Sequence, residues 1–162
     1  MPVSQEPVTI LLCYDGSPQS EHAADLAGRL FPGARAEVLY VWEPVERIIA
    51  RYAVVAPFMG EEVGEADEDV LAEAERVVTA GAERAQRAGL AASARTAPLE
   101  NTVWEAVLAA AQELGVDAVV TGTRSLHGLR EVISNTLSHH LIQHSPLPVV
   151  AIPMPVEEPA EG

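Results

Sequence analysis

The sequence contains no lysine. All ten basic residues are arginine, and they face 24 aspartates and glutamates. A Walker-type phosphate loop and Schiff-base chemistry both require a lysine, so both are excluded. A kinase core and a response-regulator receiver fail for the same reason. The formal net charge of -14 repels polyphosphate backbones and anionic lipid surfaces. Neither nucleic acid nor membrane is therefore expected as a partner. A single cysteine, Cys13, rules out any disulfide within the chain and suits a reducing compartment. It lies in an apolar run and reads as a small buried hydrophobe. Aromatic residues make up only 4% while hydrophobic residues reach 48%, so small aliphatic side chains must fill the core. No apolar run reaches membrane-spanning length, and no basic-plus-apolar leader precedes the first strand. The expectation is a soluble, cytoplasmic protein.

What is present is a regular alternation. Residues 8–14 form a continuous apolar run, as in a strand covered on both faces. Asp15-Gly16-Ser17-Pro18 ends it, with Ser17 placed to cap a helix that has proline in its first turn. That helix should reach Leu30, with Ala23, Leu26, Ala27 and Leu30 inward. Residues 36–42 read as the second strand, and 43–64 as a long apolar connection with room for a short helix. This connection is read as a cover for the site, as a subunit contact, or as a stretch with a disordered middle. A long helix over 65–88 turns Val70, Ala74, Val77, Val78, Gly81 and Ala85 inward. A polar edge strand follows at 90–97. The next helix is capped by Asn101 or Thr102, turns Val103, Val107, Ala110, Ala111 and Leu114 inward, and closes at Gly115. Then come a strand at 117–121, a helix over 134–144 capped by Ser134 or Asn135, and a strand at 148–152. Residues 154–162 form an acidic, proline-rich tail beyond a single domain spanning 1–153.

Strands alternating with helices predict an α/β domain, doubly wound, with a parallel sheet and helices on both faces. Ligands of such folds bind beyond the carboxyl ends of the strands, where strand order reverses. Asp15-Gly16-Ser17 and Thr121-Gly122-Thr123 occupy two such ends. Asp15 reads either as a contact for a sugar hydroxyl or as the residue that holds the turn. The segment from Thr121 to Ser138 is rich in hydroxyls, carries Arg124, His127 and Arg130, and leads into a helix whose N–H groups can receive an anion without lysine. His139, His140 and His144 raise a metal reading, since the last two stand one helical turn apart. No glutamate follows the first histidine and no third ligand is evident, so a packed helix face fits better. Tyr40, Trp42 and Trp104 read as core or interface residues.

The stretches ILLCYDGSPQSEHAADLA, EVLYVWEP and GVDAVVTGTRSLHGLREVISNTLSHHLIQHSPLPVVAIP resemble the universal stress protein family over residues 8 to 153. The resemblance implies a five-stranded sheet of order 3-2-1-4-5 in a homodimer paired through the last strand. It also implies a site for ATP or another adenine nucleotide, with magnesium, between the first and fourth strands. There Asp15 would meet the ribose and the Val41 backbone the adenine. Gly122 and Ser125 would line the ribose and first phosphates, with Arg124 beside them. Asn135, Thr136 and Leu137 would face the outer phosphates. The family pattern is glycine, two residues, glycine, nine residues, glycine, then a hydroxyl residue. Gly122 and Thr136 fit it, whereas Ser125 and Asn135 replace its second and third glycines.

Two functions stay open at this point. One is a small regulatory binder of adenine nucleotide; no catalytic group beyond slow hydrolysis is implied. The other is a nucleotide-free stress protein that acts through an unidentified protein partner, favoured by the two replaced glycines. A nucleotide-using enzyme of related fold would need a Ser-Gly-Gly loop or a His-Ile-Gly-His element, and neither occurs.

Overall fold

The computed structural model describes residues 6–51, 63–123 and 136–155. Strand β1 (Thr9–Cys13) is all but fully buried, which is why its sequence, TILLC, carries no alternation of polar and apolar residues. Helix α1 (Pro18–Leu30) follows. Ser17 caps it by accepting the Ser20 N–H, and Pro18 supplies the fixed φ of the first turn. Strand β2 (Arg35–Trp42), helix α2 (Val45–Arg51) and helix α3 (Val63–Arg87) come next. The chain continues through β3 (Ala91–Pro98), α4 (Val103–Leu114), β4 (Ala118–Thr123), α5 (Leu137–His144) and β5 (Val149–Pro153). The short helix expected within the 43–64 connection is α2. Its other end, with Tyr52, Val54, Val55, Phe58 and Met59, lies outside the described residues, as does the tail from 156 onward.

The five strands are all parallel and ordered β3-β2-β1-β4-β5. The central strand therefore carries the reversal point of the sheet, with β2 on one side and β4 on the other. One face holds α1 and α3 on Ile10, Leu12, Val38 and Val120. The other holds α4 and α5 on Leu11, Leu39 and Val119. Thr102 caps α4 and Gly115 closes it in the left-handed conformation at φ 62, a backbone that glycine adopts without strain.

Three expectations need correction. Leu30 and Val103 do not face the core; they are 52% and 40% exposed. The inward stripe of α1 runs instead through Ala23, Ala24, Ala27 and Gly28, and Leu30 falls in the last turn beyond it. The last helix is capped by neither Ser134 nor Asn135. Thr136 is the cap, its hydroxyl accepting the His139 N–H, and α5 begins at Leu137. Strand β4 runs further than expected and takes Gly122 into the sheet.

Candidate nucleotide-binding notch

The central strand is shorter than its neighbours at the carboxyl end. Pairing of β1 with β2 ends at Cys13 opposite Leu39, and pairing with β4 ends at Leu12 opposite Val120. Beyond these points β2 continues to Trp42 and β4 to Thr123, while the chain from β1 turns away through Asp15 and Gly16. Gly16 has φ +78, so the turn uses a backbone region that a Cβ disfavours. The result is a notch with β2 and β4 as walls.

Main-chain direction shows what the β2 wall offers. The Leu39 carbonyl accepts the Tyr14 N–H at 2.9 Å, so Leu39 turns its polar groups toward β1. Successive residues of a strand alternate, so Val41 turns its N–H and C=O the same way, past the point where β1 has left. Among the described residues no backbone group meets them there. Trp42 faces the opposite side, where its carbonyl accepts the Leu99 N–H at 2.7 Å. Val41 thus presents a donor and an acceptor side by side within the notch.

Asp15 lies at its base and is exposed. One carboxylate oxygen, Oδ1, accepts the Ser17 N–H at 2.9 Å, and the Asp15 N–H reaches the Ser20 hydroxyl at 3.4 Å. Partial burial pushes the carboxyl pKa upward, but hydrogen bonds from Ser17 and Ser20 outweigh it and leave the pKa below the usual value. Asp15 therefore stays ionised. It holds the turn and, as an exposed ionised carboxylate, can also accept from a sugar hydroxyl, so the two sequence readings are compatible.

Gly122 has a structural reason of its own. A Cβ there would stand 2.5 Å from the Gln19 carbonyl oxygen. The first turn of α1 packs directly on β4, and only a residue without a side chain lets it do so. Thr121 beside it is buried, and Cys13 next to the turn is buried too. Burial, with the negative charge of Asp15 second, pushes the Cys13 thiol up to about 12 against a weaker opposing hydrogen bond with Thr121. This fits the sequence reading of an inert hydrophobe.

On the α5 side Thr136 and Leu137 occupy the helix start, with the Thr136 hydroxyl engaged as the cap. Arg124, Ser125 and Asn135, together with His127 and Arg130, lie outside the described residues. His140 and His144 stack on Trp104 of α4, with ring centroids 5.9 and 4.6 Å away and ring planes 17° and 19° apart. Among the described residues no three metal-ligating side chains converge. No described helix is long and apolar enough to cross a membrane.

The sequence model of the universal stress protein family matches residues 8–153. The chain belongs to that family. A universal stress protein from Burkholderia pseudomallei is 26% identical, with a TM-score of 0.66, covering 94% of this chain and 100% of that one. Two more distant structures share the fold. One is an Arabidopsis thaliana family member with AMP bound, at 12% identity and TM-score 0.63, covering 96% of this chain and 97% of that one. The other, from Archaeoglobus fulgidus in complex with dAMP, has 14% identity and TM-score 0.58, covering 93% and 99%. No match was found among individually curated proteins.

Within this universal stress protein, Asp15, Val41 and Gly122 are the sequence-predicted residues that the fold gathers at one notch. Reasoning from sequence missed Arg47. It reaches from α2 to the carbonyls of Glu100 and Asn101, the latter at 3.2 Å. An arginine within a long connection, bonded to backbone more than fifty positions away, leaves no pattern in a single sequence.

Proposed function

We propose that this universal stress protein is a small regulatory binder of adenine nucleotide, ATP with magnesium among them, held in the notch between β1 and β4. The observation that carries the reading is the main chain of Val41, which meets no backbone partner on the β1 side among the described residues. A donor and an acceptor side by side match the edge of an adenine ring, and backbone groups need no particular side chain to do this. Asp15, exposed and ionised, suits a ribose hydroxyl. The start of α5 at Thr136 and Leu137 suits phosphate through helix N–H groups, with Arg124 adding positive charge in an acidic chain. Relatives of the same fold bound to AMP and dAMP support the same ligand class. The chain acts as a cytoplasmic homodimer. Its β5 edge ends the sheet, and Ile142 is 61% exposed on the flank of α5 turned away from α4.

The alternative, a nucleotide-free protein working through an unidentified protein partner, is favoured by Ser125 and Asn135 at two glycine positions. Calorimetric titration with ATP and magnesium separates the two. Saturable heat is expected; none at millimolar nucleotide selects the alternative. Sedimentation should give a dimer, and a monomer at high concentration removes the strand-pairing part.

A further inference from the structure

Helix α2 begins three residues past the end of β2, and hydrogen bonds tie it both to α3 and to the turn that follows β3. At its start the Val45 N–H donates to Asp67 Oδ1 of α3 at 2.7 Å. From its first turn Arg47 sends Nη1 to the Glu100 carbonyl and Nη2 to the Asn101 carbonyl, just ahead of the α4 cap. Arg51 closes the other end on Glu43 at 2.6 Å. Because α3 and the α4 cap lie on opposite faces, these bonds hold α2 near the carboxyl end of β2, three positions after Trp42. None of its residues is fully buried. Among the described residues Arg47 has no carboxylate partner, and its buried Nε has no hydrogen-bond partner. In a chain this acidic, an arginine used only on main-chain carbonyls is placed for geometry, since its planar fork spans two acceptors that an ammonium cannot span together.

We infer that Arg47 is a positioning residue for the base subsite. By clamping α2 to the Glu100–Asn101 carbonyls it fixes the wall against which the adenine ring lies once its edge meets Val41. The inference rests on the nucleotide reading above and adds what sets the shape of that end of the site. A pre-positioned wall spares the ligand the cost of ordering it.

The test uses the full chain with Arg47→Ala and Arg47→Lys, ATP titration, and hydrogen exchange of the α2 amides. Arg47→Ala is expected to weaken ATP binding by about tenfold, to strip protection from α2, and to leave the melting midpoint nearly unmoved. Arg47→Lys, which keeps the charge but not the fork, is expected to behave like the alanine variant in both readouts. Full ATP affinity in Arg47→Lys would make Arg47 a simple cation for the phosphates and overturn the inference. Unchanged ATP affinity in Arg47→Ala, with or without a loosened α2, would also overturn it. A wild-type chain that binds no ATP at all overturns the parent reading instead, and the wild-type titration alone reveals that case.

Discussion

The two faces of the sheet are built on different principles. On the α1–α3 face the helices approach through glycines. A Cβ at Gly28 would stand 2.1 Å from the Ala88 carbonyl oxygen, and one at Gly81 would stand 2.6 Å from the Tyr14 ring. Arg84 adds a bidentate bond to Asp25, both contacts at 2.8 Å. On the α4–α5 face contact is made by rings, with Trp104 laid on His140 and His144. The first face leaves no slack, while the second has side chains that can re-pack. The notch straddles both. Its floor at Asp15 and its wall at Gly122 belong to the tight face, whereas the helix suited to phosphate, α5, belongs to the adaptable one. Ligand-dependent movement should therefore be confined to α5 and its surroundings.

The largest expected effect tests the tight face. In a helix interior, replacing glycine by alanine stabilises by about 1 kcal/mol. At Gly28 the backbone collision with Ala88 outweighs that gain, so Gly28→Ala should lose about 2 kcal/mol net in urea unfolding. A gain in stability would show that α1 and α3 can separate freely and would erase the contrast. Next is the ring face: Trp104→Leu should cost about 1 kcal/mol, as an aromatic stack is exchanged for an aliphatic contact. A loss as large as that of Gly28→Ala would mean this face is equally rigid.

The smallest effect concerns Asp15. Its folded-state pKa lies below the unfolded value, so its contribution is present at pH values above the unfolded carboxyl pKa, about 3.9. It is lost as pH falls through the lower folded-state value. Asp15→Asn should track wild type with a constant offset at neutral pH, and the two curves should converge in acid. Curves that remain parallel into strong acid would remove the hydrogen bonds of Ser17 and Ser20 as the cause.

Much of the architecture could be read in the residues because burial on both faces leaves uninterrupted apolar runs, as in β1 and β4. The start of α5 could not. Ser134, Asn135 and Thr136 are all good caps, and only backbone geometry chooses among them. The inward stripe of α1 misled at Leu30 because periodicity does not reveal where a neighbouring helix stops covering it. At the site, Asp15 and Gly122 were visible as residue types at strand ends. Gly122 was singled out for closeness to a ligand, and the structure adds a second neighbour, the main chain of Gln19. The main chain of Val41 beyond the end of β1 has no residue signature, since any side chain could sit there; only the family resemblance pointed to it.

The sealed thiol of Cys13 has a consequence for what this stress protein can sense. With its sulfur buried and its proton held up to about 12, the chain offers no thiolate for peroxide, disulfide exchange or electrophiles to attack. Burial of its one cysteine sulfur therefore disfavours both oxidation of the thiol and a disulfide between two copies.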